Sequence, residues 1–169
     1  MTIQFRRSSL RPLGVCATAA MLGVLGAGPA IAATAVTTMP VSLTIAASCI
    51  TTAATLAFGS TGVLAASLYQ TSTINVTCTN TTPYNIGLDV GAHAVATQRK
   101  MIGGVATVSY NLWRDSAHTL AWGVTVGTDT VSATGTGVSQ PATVYGEVIA
   151  QTTPAPGAYA DIVNVTVTY

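Results

Sequence analysis

Residues 34–49 read TAVTTMPVSLTIAASC. Apolar or small side chains fall on alternate positions: Ala35, Met39, Val41, Leu43, Ile45 and Ala47. Threonine and serine fill much of the other face. That period of two predicts a β-strand. No hairpin partner precedes it, and no charge occurs from Ala33 to Cys49. An uncharged strand edge is an aggregation hazard that proteins usually blunt with charge, proline or bulges. The strand is therefore either covered within its own fold or intended for another molecule, and the fold depends on which.

What lies upstream is a leader. Arg6, Arg7 and Arg11 form a basic start, the stretch PLGVCATAAMLGVLGAGPAIA is apolar and rich in small residues, and Ala30-Ile31-Ala32 is an A-x-A site. This predicts a secretory signal over residues 1–32, cleaved after Ala32. Gly and Pro interrupt the apolar run, which argues against a membrane anchor. The bulky Val15 before Cys16 argues against a lipoprotein signal.

Loss of the leader changes the chain's chemistry. The full sequence has 169 residues and a formal net charge of +1. Without residues 1–32, the basic residues Arg99, Lys100 and Arg114 face Asp89, Asp115, Asp129, Glu147 and Asp161, a net charge of −2. No basic patch remains for nucleic acid or an anionic membrane surface. Charged residues make up 7% and hydrophobic ones 49%, which excludes the polar, highly charged composition of a disordered chain. Cys16 leaves with the leader. Cys49 and Cys78 remain, an even pair in an exported protein, which predicts a disulfide. By chain-entropy arithmetic such a bridge contributes roughly 3–4 kcal/mol.

Strand and turn signals alternate along the rest. Leu56 to Gly59 ends one short run. Ser72 to Cys78 sets Ile74, Val76 and Cys78 on one side. Asn80 to Pro83 reads as a turn. Tyr84, Ile86, Leu88 and Val90 are in phase, and Gly103-Gly104 marks another turn. Val108, Tyr110 and Leu112 carry the next strand, followed by runs at Asp129 to Thr134 and Ala142 to Ile149. Thr153 to Gly157 is a stiff loop, and Asp161 to Tyr169 forms a last strand with Val163, Val165, Val167 and Tyr169 on its apolar face. No helical period is sustained after the leader. Several short, evenly spaced strands in one domain predict a β-sandwich.

No catalytic constellation emerges. Glu147 is the single glutamate, so a paired-carboxylate site would need unmarked Asp partners. G-x-S-x-G is absent. His93 reads as part of a solvated loop and His118 as part of a turn. Neither sits near the cysteines in sequence, so no metal or cofactor is expected. Gly135-Thr136-Gly137 has no strand-then-helix context and no following lysine for a phosphate cradle. The sequons at Asn75, Asn80 and Asn164 arise readily in a threonine-rich strand protein. Trp113 and Trp122 could mark a sugar-binding surface, but they flank a turn and are expected to pack on the core or its edge.

Several stretches together carry a resemblance: Ala47-Ser48-Cys49, Leu56-Ala57-Phe58-Gly59, Ile74-Asn75-Val76-Thr77-Cys78-Thr79, Pro83-Tyr84-Asn85-Ile86-Gly87-Leu88, and Tyr110-Asn111-Leu112-Trp113-Arg114-Asp115 with Trp122-Gly123. Val144-Tyr145-Gly146-Glu147, Pro156 to Asp161 and Val165 to Tyr169 complete the set. The chain resembles the spore coat protein U domain family, which includes subunits of archaic chaperone–usher pili. It departs from the family pattern in lacking an acidic residue just after Trp122-Gly123.

The resemblance implies an all-β, incomplete immunoglobulin-like sandwich, completed by a donor strand from a neighbouring subunit. It implies a donor extension over residues 33–46, with Met39, Val41, Leu43 and Ile45 inserting into the neighbour, and a domain over residues 47–169. Val163, Val165, Val167 and Tyr169 would flank the groove. The implied partners are identical or homologous pilin subunits, a periplasmic chaperone and an outer-membrane usher. The implied route is export to the periplasm and then to a surface fimbrium. Two further readings share the fold: a spore or cell-coat structural protein, and a secreted carbohydrate-binding adhesin. An adhesin ordinarily carries an added binding domain, for which the chain has no room.

Overall fold

The computed structural model describes residues 31–169, so the predicted leader falls outside the described residues except for Ile31 and Ala32. Residues 31–42 form no strand, and every side chain among them is exposed. The compact unit runs from Leu43 to Tyr169. It contains β1 (Cys49–Ala53), β2 (Leu68–Cys78), β3 (Pro83–Leu88), β4 (Arg99–Gly103), β5 (Ala106–Trp113), β6 (Val131–Thr134), β7 (Gln140–Val148) and β8 (Val165–Thr168). Among the described residues there is no helix.

The strands form two antiparallel sheets. One has the order β1-β2-β7-β5-β4 and the other β6-β3-β8. Alternation explains the core between them. Ile74, Val76 and Cys78 point inward from β2, Tyr84, Ile86 and Leu88 from β3, Val108, Tyr110 and Leu112 from β5, and Val144 and Val148 from β7. Each of these side chains is buried. Trp122, from the loop after β5, is sealed among them and donates its ring N–H to the Ile86 carbonyl at 2.8 Å. The indole thus pays no penalty for an unpaired donor.

Local chemistry sets the connections. β4 and β5 meet in a two-residue hairpin, Gly104-Val105, with Gly104 at φ +61°; glycine takes that conformation without strain. Pro141 lies inside β7, opposite Asn75. It is tolerated because β5 begins pairing with β7 only at Tyr145, so no ladder bond is forfeited on that side. Cys49 and Cys78 stand directly opposite in the β1–β2 ladder and are joined by a disulfide across 29 residues of chain.

The strand expected over residues 34–49 is assigned only from Cys49 onward. A strand needs a hydrogen-bonding partner, and no described segment pairs with residues 31–48 as a ladder. Leu56 to Gly59 also forms no strand, although Leu56 and Phe58 pack half-buried against the core. β3 stops at Leu88, leaving Val90 exposed. The last strand is shorter than expected, because the chain crosses between sheets before it. Ala160 bridges Ile102 on β4, whereas Val165 pairs with Leu88 on β3.

Candidate functional site

Among the described residues the edge strands are β1 and β4 in the larger sheet and β6 and β8 in the smaller. β1 pairs only with β2, and β8 pairs only with β3. Near β1 and β8 the sandwich encloses a cleft of about 1010 Å³. Its floor is the core itself, including Ile74, Leu88, Val108, Leu112, Val144 and Val148. One wall is the segment after β1, with Leu56 and Phe58. The other is the Thr153–Asp161 loop and the approach to β8, with Tyr159, Val163 and Val165. The cleft is therefore predominantly apolar, with chain segments outside the strands as its walls.

Gly146 helps shape it. A Cβ at that position would stand 2.5 Å from Leu56 Cδ2 and 2.9 Å from Phe58 Cζ. The missing side chain lets the first wall settle onto β7.

The second wall is held by polar chemistry. Tyr110, inside the sandwich, donates its hydroxyl to Asp161 Oδ2 at 2.7 Å. Asp161 Oδ1 accepts from the His93 backbone N–H at 3.2 Å and lies 2.8 Å from its Nδ1. Burial alone would raise the Asp161 pKa, but the hydrogen bonds from Tyr110 and His93 outweigh it and hold the carboxyl below its ordinary value. Burial, reinforced by the neighbouring carboxylate, pushes Tyr110 well above the usual phenol range. His93 is therefore not simply a solvated loop residue: it clamps the Asp161 carboxylate. Asp89 holds the next turn of chain, accepting from the Asn164 backbone N–H at 2.9 Å and its side-chain amide at 2.6 Å.

Arg99 braces this corner from beneath. It is buried, and its guanidinium donates to the carbonyls of Leu88 at 3.0 Å, Asp89 at 2.7 Å and Trp122 at 2.7 Å. A buried cation satisfied by three carbonyls joins the end of β3 to the tryptophan loop. Sequence reasoning missed Arg99, Leu56, Phe58, Tyr159 and the Asp161 cluster as parts of this site. The available signal was thin: a lone acid opening the last apolar run, in a chain with few charges.

The anticipated residues fall as follows. Val163 and Val165 line the cleft. Val167 packs half-buried against the core, and Tyr169 is exposed beyond β8. Met39, Val41, Leu43 and Ile45 are 77–86% exposed. Cys49 and Cys78 are bonded. His118 sits in its turn at φ +56°, its ring 4.5 Å from that of Tyr69. Trp113 lies on the outer face of the large sheet and donates to Glu147 Oε2 at 3.1 Å. Glu147 also accepts from Ser67 at 3.0 Å, so its carboxylate serves neighbouring strands. Asp129 folds back onto the loop after Trp122-Gly123, its backbone carbonyl accepting from the Gly123 N–H at 2.9 Å. Among the described residues no three His, Cys, Asp or Glu side chains gather as a metal site.

A two-sheet antiparallel sandwich with an apolar cleft near the edge strands β1 and β8 is an immunoglobulin-like domain. Comparison with known proteins agrees. The Spore Coat Protein U domain model matches residues 35–166, and the chain belongs to that family. Among solved structures, the chain is similar to one from the CsuC–CsuE chaperone–tip adhesion subunit pre-assembly complex of the archaic chaperone–usher Csu pili of Acinetobacter baumannii. The identity is 28% and the TM-score 0.57. The match covers 75% of this chain and 40% of that one, so this chain spans under half the length of its structural neighbour. No curated protein matches its sequence.

Proposed function

We propose that this chain is a structural subunit of a chaperone–usher surface pilus, polymerising by donor-strand exchange and supporting adhesion or biofilm formation. The observation that carries the reading is the cleft between the open edges of β1 and β8, floored by core side chains. Residues 33–46 are the donor extension and residues 47–169 the receiving domain. Met39, Val41, Leu43 and Ile45 of one copy enter the cleft of the next, and Val163, Val165, Val167 and Tyr169 belong to the strand that flanks it. Before assembly a periplasmic chaperone occupies the cleft, and an outer-membrane usher exchanges it for the next subunit. The likeness to a chain from a chaperone–subunit complex supports those partners.

The energetics suit a durable joint. Burying a medium apolar side chain is worth about 1.5–3 kcal/mol, so four inserted together give on the order of 10 kcal/mol before ordering costs. Exposure above three-quarters for all four in the free chain means that nearly all of this gain is still available.

The test is deletion of residues 33–43. The truncated subunit is expected to bind the chaperone and to form no oligomer ladder on an unboiled gel. Adding a peptide spanning residues 33–46 should raise its melting temperature. Long fibres from the deletion variant, or no thermal shift with the peptide, would overturn the proposal.

A further inference from the structure

We infer that the Cys49–Cys78 disulfide is a tension bypass, carrying force from the N-terminal extension directly into β2 and sparing β1. The inference rests on the donor-strand reading above. In a head-to-tail fibre, any pull on a subunit enters through its inserted extension. The first residue of that chain to join a sheet is Cys49, the opening residue of β1.

Without a covalent link, tension at this point would fall on β1. That strand is five residues long, stands at a sheet edge, and has four of its five residues exposed. Edge strands with so little burial open easily. The bridge changes the route, because Cys49 and Cys78 stand directly opposite in the ladder. Cys78 is buried and ends the 11-residue β2, which pairs along nine of its residues with β7. Two hydrogen bonds close the same corner, from the Thr79 N–H to the Ser48 carbonyl at 2.9 Å and from the Ser48 N–H to Thr79 Oγ1 at 3.2 Å. The bridge lies at the root of the extension, where it intercepts tension before any β1 ladder bond. Placed at Ala53, a bridge would close a shorter loop and leave the whole of β1 under load.

The position also separates two roles that a disulfide can serve. Stability from loop closure depends on the number of residues enclosed. Load transfer depends on which residue meets the tension first. Only the second role makes the bridge matter in an assembled, stretched fibre more than in a resting one.

The experiment stretches single fibres by optical tweezers, comparing native fibres with fibres of the Cys49→Ala/Cys78→Ala variant and with native fibres treated with a reductant after assembly. Loss of the bridge is expected to lower the yield force and to add a lengthening on the order of 10–30 Å per subunit, the reach of a five-residue strand released and swung outward. Post-assembly reduction covers the case in which the double variant fails to fold, with free-thiol labelling to verify that the bridge has opened. Force–extension curves unchanged by verified reduction would overturn the bypass and leave the donor-strand reading intact. If the native protein forms no fibres and no ladder, the donor-strand reading itself fails.

Discussion

β2 and β8 carry the same alternating pattern and reach different fates. The inward row of β2, Ile74, Val76 and Cys78, is no more than 2% exposed. The inward row around β8, Val163, Val165 and Val167, is only half-buried. All six are strand-compatible and most are β-branched or aliphatic, so composition does not separate them. Neighbours do. β2 lies between β1 and β7, whereas β8 has a partner on one side alone. Apolar area on β8 that pattern alone would assign to a core is left beside the cleft. Unused burial of this kind is a store of binding energy, since the hydrophobic gain scales with area removed from water.

Substitutions test that contrast in descending order of expected effect. The Cys49→Ala/Cys78→Ala variant, which frees the end of β2, should lose roughly 3–4 kcal/mol in urea denaturation. Truncating β2's inward row with Ile74→Ala should cost about 3 kcal/mol, because the surroundings cannot close over the space left. Asp161→Asn should cost about 1–2 kcal/mol by weakening charge-assisted hydrogen bonds at the approach to β8.

The pH dependence gives that last variant its own signature. The folded-state pKa of Asp161 is depressed, so the unfolded chain takes up the proton first as the solution is acidified. Its contribution is complete above the ordinary carboxylate value and disappears as pH falls through the lower folded value. The native subunit should lose stability through that acid range, and Asp161→Asn should flatten the profile there. An unaltered profile would mean that the cluster does not hold the wall.

The smallest effect belongs to β8. Val165→Ala should cost under about 1 kcal/mol in the monomeric subunit, where the side chain is already partly wetted, and more once a donor strand covers it. Equal costs for Val165→Ala and Ile74→Ala in the monomer would mean that β8 is already roofed, and the contrast between the strands would vanish.

Much of the sandwich was legible because alternation reports which face of a strand meets the core. Ile74, Val76, Tyr84, Ile86, Val108, Tyr110 and Leu112 all read correctly from that period. The failures have a common cause. Leu56 and Phe58 are spaced like strand residues, yet their backbone leaves the sheet and forms a cleft wall. Asp161 to Asn164 alternates like the rest of the final run, but crosses from one sheet to the other before the ladder begins. Period fixes the direction of side chains and says nothing about whether a second backbone lies within hydrogen-bonding distance.

From its residues alone, this chain reads as β-rich, with an expected leader, a pair of cysteines after it and an uncharged, alternating segment ahead of Cys49. Those properties depend on local chemistry: side-chain period, turn formers, leader composition and the parity of thiols. Only the tertiary structure decided which edges stay open, where the cleft lies, that Arg99 and Asp161 brace its corner, and that Cys49 meets Cys78 at the root of the extension. Each of these depends on segments distant in sequence arriving side by side, and the packing of the whole domain determines that.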